Sequence, residues 1–196
     1  MPDPIIIRTS DRGYYKRCRQ LWNFTSKIRE NWEPVQRYLA FDFGTAIHAG
    51  LQAYYEPKTW GNLDLQRSNA REAFRASFTE LQQKVKVGDL EFELRFDEQI
   101  QLGLGMLEFY FTWAPSRDKN WRPVFVEVEF EVPILGLEGL AVYQGRIDLV
   151  VEVFDDDGNS LGYYIVDHKT AKQFGETSWL WLMISAAAML GHYTRC

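Results

Sequence analysis

Apolar and polar positions follow two different rhythms along this chain. From Pro123 the order is Val-Phe-Val-Glu-Val-Glu-Phe-Glu-Val-Pro, a period of two that predicts a half-buried strand with Glu127, Glu129 and Glu131 on one acidic face. Gly136 to Gly139 turns the chain into a predicted hairpin over residues 141–170. Both of its arms are rich in β-branched and aromatic residues, and Asp157-Gly158 is a two-residue turn signal. Earlier residues follow a period near 3.6. A helix is predicted from Asp11 to about Ile28 behind a short apolar lead and a Thr9-Ser10 cap, with Tyr14, Cys18, Leu21 and Trp22 on one stripe. A second runs from Gly44 to about Glu56 with His48, Leu51, Gln52 and Tyr55 on one face. A third spans Leu65 to Val85, carrying Ala70, Ala73, Phe74, Phe78 and Leu81. After a loop at Lys84–Asp89, a fourth runs from about Glu93 to Trp113, carrying Phe96, Ile100, Leu104, Leu107 and Phe111. Pro115 ends it, and Gly103 and Gly105 weaken it. A loop at Thr170–Gly175 and a helix at Glu176–Leu190 complete the pattern.

The hairpin carries the first chemical signal. With Asp157-Gly158 as the loop, Asp156 faces Asn159 and Asp148 faces Asp167, their Cβ atoms roughly 4.5–5.5 Å apart. This register puts Ile147, Leu149, Val151, Tyr164 and Val166 on an apolar face. Arg146, Asp148, Glu152, Asp167 and Lys169 share the other, with Val150 and Ile165 between them. Facing carboxylates repel unless a cation joins them, so the polar face reads as a metal site. The alternative is a solvated salt-bridge cluster. His48 alone reads as a hydrogen-bonded, partly buried histidine. Arg12, Lys16, Arg17 and Arg19 read equally well as a solvated helix face or as phosphate contacts.

At 196 residues and 46% hydrophobic content, the chain can bury one sizeable core, and no linker or repeat divides it. One domain over 1–196 is expected. A net charge of −5 argues against a protein that coats nucleic acid with its whole surface, but leaves room for a local basic groove. No run reaches the roughly 18 apolar residues of a membrane span, and no secretory signal is visible, so a cytoplasmic protein without membrane contact is expected. Cys18 and Cys196 are the only cysteines, too few for a disulfide framework.

Four pieces occur in order: Gly44-Thr-Ala-Ile-His48-Ala-Gly-Leu51, Val126-Glu127, Gly145-Arg-Ile-Asp148, and Val166-Asp167-His168-Lys169-Thr170. This ordered set resembles the PD-(D/E)XK nuclease superfamily, specifically its RecB-like exonuclease branch, over roughly residues 10–185. The resemblance implies an α/β fold, a central mixed sheet flanked by helices in the manner of restriction endonucleases, and metal-dependent cleavage of DNA. Transferred residue by residue, His48, Asp148 and Asp167 would hold one or two Mg²⁺ or Mn²⁺ ions with Lys169 beside them. Glu127 matches a position where the branch often has a glutamate. His168, facing the apolar side opposite Ile147, stays outside this predicted site.

The resemblance also shows departures. Gln52 stands where the family's helix often has a glutamate. The branch's Gln-X-X-X-Tyr helix would fall in Leu182-Met-Ile-Ser-Ala-Ala-Ala-Met-Leu-Gly-His-Tyr, which has no glutamine. An overlapping frame through Leu-Met-Ile-Ser-Ala can read Asp-Asp-Gln-Cys, so a truncated or frame-shifted tail over about 182–196 is one expectation. Some relatives hold an iron–sulfur cluster, and Cys18 matches its first ligand, but the four thiolates it needs are not present in this sequence. The expected function is a Mg²⁺- or Mn²⁺-dependent DNA exonuclease of replication, recombination or repair, working on DNA and with a replication or recombination partner protein. A nuclease fold that binds nucleic acid without cleaving it is the alternative. A structural domain with an incidental acidic face is a third reading.

Overall fold

The apolar lead is a strand, β1 (Ile5–Arg8), and helix α1 (Thr9–Arg17) follows it without a break. Residues 4–32, 39–83 and 90–170 are described by the structure, a computed structural model, with side chains described for 4–32, 43–80 and 96–170. The loop expected at Lys84–Asp89, the helix expected at Glu176–Leu190, and Cys196 lie outside the described residues. The remaining elements are α2 (Arg19–Thr25), α3 (Leu39–Tyr54), α4 (Leu63–Gln83), α5 (Leu90–Arg117), β2 (Trp121–Pro133), β3 (Ala141–Phe154) and β4 (Ser160–Val166). The fold is α/β with a mixed four-stranded sheet in the order β1-β3-β2, β4 also pairing with β3. Helices pack against it, as expected of a restriction-endonuclease-like fold. By contact density the chain forms two compact units: Met1–Arg37 with Val128–Ile147, and Tyr38–Glu127 with Asp148–Cys196.

In the first unit β1 runs parallel to the start of β3, Ile5 beside Ala141 and Arg8 beside Gln144. The Arg8 guanidinium donates to Gln144 Oε1 from Nε and Nη2 at 3.1 and 3.0 Å, closing the register with side chains as well as backbone. Arg8, rather than Thr9 or Ser10, is the N-cap of α1. Its extended N–H donates to Asp11 Oδ2 at 3.1 Å, so a third-position acid takes the capping role expected of a hydroxyl. The helix expected to run unbroken to Ile28 is interrupted at Cys18, which is extended at φ −162° and ψ 116°. Cys18 N–H closes α1 on the Tyr14 carbonyl at 2.8 Å, and its sulfur accepts from Leu21 N–H at 3.5 Å to open α2. The buried Ser26 hydroxyl donates to the buried Asp11 carboxylate, tying the end of α2 to the start of α1. An isolated helix of this length gains little by itself, so that buried tie outweighs helical continuity. Gly145 is required where it stands: a Cβ there would lie 2.5 Å from the Phe130 ring.

The second unit holds the aromatic core, in which Tyr54, Tyr55, Phe74, Phe78, Leu107, Phe111, Leu149 and Val151 are all under 2% exposed. Leu149 and Val151 of β3 meet the helices on the face predicted from their alternation, with Tyr164 and Val166 packed against them. Gln52 points to solvent, so the buried face of α3 is narrower than its spacing suggested. α5 passes through both glycines and through Pro115 to Arg117. Pro115 cannot donate to the Phe111 carbonyl four residues back, and Arg67 Nη2 donates to that oxygen at 3.0 Å instead. Gly103 faces Phe74, whose ring would lie 2.1 Å from an added Cβ; a glycine is what lets α4 and α5 approach here.

The hairpin loop is longer than expected. Asp155, not Asp156, pairs with Asn159, its N–H donating to the Asn159 carbonyl at 3.0 Å. The Asp155 carboxylate accepts from the Asn159 side-chain amide at 3.0 Å and from the N–H groups of Asn159 and Asp157 at 2.7 and 3.0 Å, bonds that hold its pKa below the usual range. A register shift between Val153 and Phe154 then restores the expected alignment, with Val153 opposite Gly162 and Leu149 opposite Val166.

Candidate metal centre

β4 ends at Val166, one pair before Asp167 would face Asp148. Beyond it the His168 backbone N–H donates to Asp148 Oδ2 at 2.6 Å. The partner of the Asp148 carboxylate is therefore an amide, where alternation predicts a second carboxylate. Asp167 instead accepts from Lys169 Nζ at 2.6 Å, both side chains more than half exposed.

The residues that converge on Asp148 come from other elements. α3 supplies His48, whose Nδ1 lies 3.3 Å from Glu127 Oε1 and 3.7 Å from Asp148 Oδ2. β2 supplies Glu127, which has a left-handed backbone at φ +48° inside a strand. That conformation is rare for a glutamate and breaks the alternation expected of Glu127, Glu129 and Glu131. Glu129 itself pairs with Arg146 at 2.8 Å. One ligand atom each from His48, Glu127 and Asp148 falls within 4.8 Å of the others, a grouping of the size a metal ion needs. Glu127 and Asp148 are 13% exposed and His48 29%, so the pocket is largely shielded yet open on the histidine side. Two shielded carboxylates with one imidazole fit a hard divalent cation: the oxygens suit Mg²⁺, and the nitrogen inclines the set toward Mn²⁺. Of the residues predicted as ligands, His48 and Asp148 belong to this group, Glu127 joins them, and Asp167 lies outside it.

Gly44, four residues before His48, sits against the end of the hairpin. A Cβ at Gly44 would meet Thr170 Oγ1 at 3.3 Å, which explains why the Gly-X-X-X-His and Asp-X-Lys-Thr pieces belong together.

His168 takes the apolar side, as its place in the alternation predicts, but it does not stand apart from the centre. Its ring stacks on Tyr55 at 5.7 Å and 24°, and meets His48 edge-on at 6.4 Å and 77°. Burial pushes its pKa down to about 4, and Nε2 has no partner among the described residues. Behind it the buried Tyr55 hydroxyl donates to Asp118 and meets Tyr110 Oη at 2.5 Å. Burial pushes the Asp118 carboxyl up to about 6 despite that hydrogen bond. Tyr55 was visible as the position two turns beyond His48; Asp118 carried no sequence signal.

Arg12, Lys16 and Arg17 are exposed on α1 and Arg19 on α2. The Arg19 guanidinium lies over the Tyr15 ring at 5.4 Å. The only neighbouring acids in residues 4–32 are Asp11, turned inward, and Glu30.

Among the described residues no helix is long and apolar enough to cross a membrane. No curated protein matches the chain. Residues 12–179, which include His48, Glu127, Asp148, Asp167 and Lys169, match the PD-(D/E)XK nuclease superfamily, and the chain belongs to that superfamily.

Proposed function

We propose that this protein is a deoxyribonuclease of the RecB-like branch, an exonuclease dependent on Mg²⁺ or Mn²⁺ that acts on DNA in replication, recombination or repair in the cytoplasm. The observation that carries the reading is the convergence of His48, Glu127 and Asp148 within 4.8 Å, next to the Asp-X-Lys segment of a nuclease superfamily. These three residues would hold the cation. When bound, it polarises the scissile phosphate and lowers the pKa of an attacking water.

The chain's own residues supply the rest. The His168 N–H holds one oxygen of Asp148 and thereby limits how that carboxylate can turn. Lys169, paired with Asp167 at the exposed end of the hairpin, offers a positive charge to the phosphate. The Asp167 carboxylate orients that ammonium through their ion pair. Arg12, Lys16, Arg17 and Arg19 contact the DNA backbone without reading its sequence. A partner protein of replication or recombination delivers the DNA end, and a single nuclease domain spans the chain.

A second reading, a nuclease fold that binds nucleic acid without cleaving it, is favoured by one observation: no glutamine occurs across Leu182–Tyr193. End-labelled single- and double-stranded DNA incubated with the protein and Mg²⁺ or Mn²⁺ separates the two. Metal-dependent loss of label, abolished by Asp148→Ala, is expected. Binding without loss of label in either metal would leave the second reading standing.

A further inference from the structure

His168 touches the candidate centre twice without belonging to it. Its backbone N–H donates to Asp148 Oδ2, and its ring stands edge-on to His48. The same ring stacks on Tyr55, which is fully buried. Tyr55 in turn is held at its far end, where its hydroxyl donates to Asp118 and meets Tyr110. The stack from Asp118 through Tyr55 and His168 to His48 is continuous, with Tyr55 buried and His168 half-buried. Among the described residues, no nitrogen of His168 joins the three-ligand group and Nε2 has no hydrogen-bond partner. A buried polar atom without a partner costs stability, so the fold's use of this residue lies in the shape of its ring and in its amide.

We infer that His168 is a positioning residue of the metal centre: its ring, braced by Tyr55, sets the orientation of the His48 imidazole, and its amide sets that of Asp148. This rests on the metal-dependent reading above. Outer groups that orient ligands by contact, rather than by binding the ion, typically change metal affinity by about 10–100-fold when lost. The amide survives any substitution except proline, so side-chain variants isolate the ring.

The test is Mn²⁺ binding, measured by calorimetry on full-length protein without DNA. His168→Phe keeps a ring of similar size and removes both nitrogens. It is expected to bind Mn²⁺ within about 3-fold of wild type. His168→Ala removes the ring, and is expected to weaken Mn²⁺ about 10-fold or more. If His168→Ala does not fold, His168→Leu supplies the ring-deleted arm. A core lesion, Phe96→Leu, is expected to lower the melting temperature while leaving Mn²⁺ affinity near wild type, which separates positioning from general loss of stability. Equal weakening in His168→Phe and His168→Ala would make His168 a ligand and overturn the inference. Wild-type affinity in the ring-deleted protein would also overturn it. If wild-type protein bound no Mn²⁺, the metal-dependent reading itself would fall, and this inference with it.

Discussion

His48 Nδ1 lies 3.3 Å from Glu127 Oε1, and Glu127 reaches it from a left-handed backbone in the middle of β2. A left-handed L-residue costs roughly 1–2 kcal/mol, and asparagine tolerates this conformation better than glutamate. The shorter amide also removes one of two neighbouring negative charges. In metal-free protein Glu127→Asn is therefore expected to raise the unfolding free energy by about 0.5–1 kcal/mol, read from urea titration. The same variant is expected to weaken Mn²⁺ binding by about 10-fold or more. Unchanged affinity would remove Glu127 from the ligand set.

The two glycines of α5 differ in their surroundings, and their alanine variants should move in opposite directions. Gly105 has open space where a Cβ would stand, so Gly105→Ala is expected to stabilise by about 0.5–1 kcal/mol. Gly103→Ala would drive a methyl group into the Phe74 ring and is expected to cost about 1–3 kcal/mol. Thermal unfolding of the pair checks this, and a shift of the same sign in both would contradict the helix packing.

Asp118 and His168 give metal-free protein two opposing pH dependences. Asp118 titrates near 6 in the folded state against an ordinary 3.8, so the folded chain keeps a proton that the unfolded chain has lost. Its contribution is full at low pH and is lost as pH rises toward 6. His168 titrates near 4 against an ordinary 6.5, so its contribution is full at neutral pH and is lost as pH falls toward 4. Asp118→Asn keeps an oxygen for the Tyr55 hydroxyl and removes the first effect. Relative to wild type it is expected to gain about 2–3 kcal/mol between pH 4 and pH 7. His168→Phe is expected to gain stability relative to wild type as pH falls over a similar window. Urea titrations at pH 4.5 and 7.5 in EDTA measure both, and variant profiles parallel to wild type would refute them.

Lys169 is exposed and its ammonium pairs with Asp167, outside the three-ligand group, so its loss should leave that group intact. Lys169→Ala is expected to reduce DNA cleavage about 100-fold or more while Mn²⁺ affinity stays within about 2-fold of wild type. Cleavage that survives in this variant would remove Lys169 from the mechanism.

Local order along the chain determined a good part of this protein. Alternation put Leu149, Val151, Tyr164 and Val166 on the core face, because a period of two follows directly from the pleat. Helical spacing likewise identified Phe74, Phe78, Leu107 and Phe111 as core. The hairpin register was legible although the loop is longer than its turn signal implies, because the register shift near Phe154 compensates for the longer turn.

Only the tertiary structure decided what converges at the centre. β1 pairs with a strand 136 residues away, and nothing in the four residues Ile-Ile-Ile-Arg specifies which strand that is. The ladder ends at Val166, so an amide rather than Asp167 meets Asp148. Glu127 leaves the alternation because its backbone is left-handed, and a composition of valines and glutamates does not encode that dihedral. His48, Glu127 and Asp148 each occupy an ordinary position in their own element. They converge because long-range packing holds three separate segments together, and the physical cost of two neighbouring carboxylates becomes visible only there.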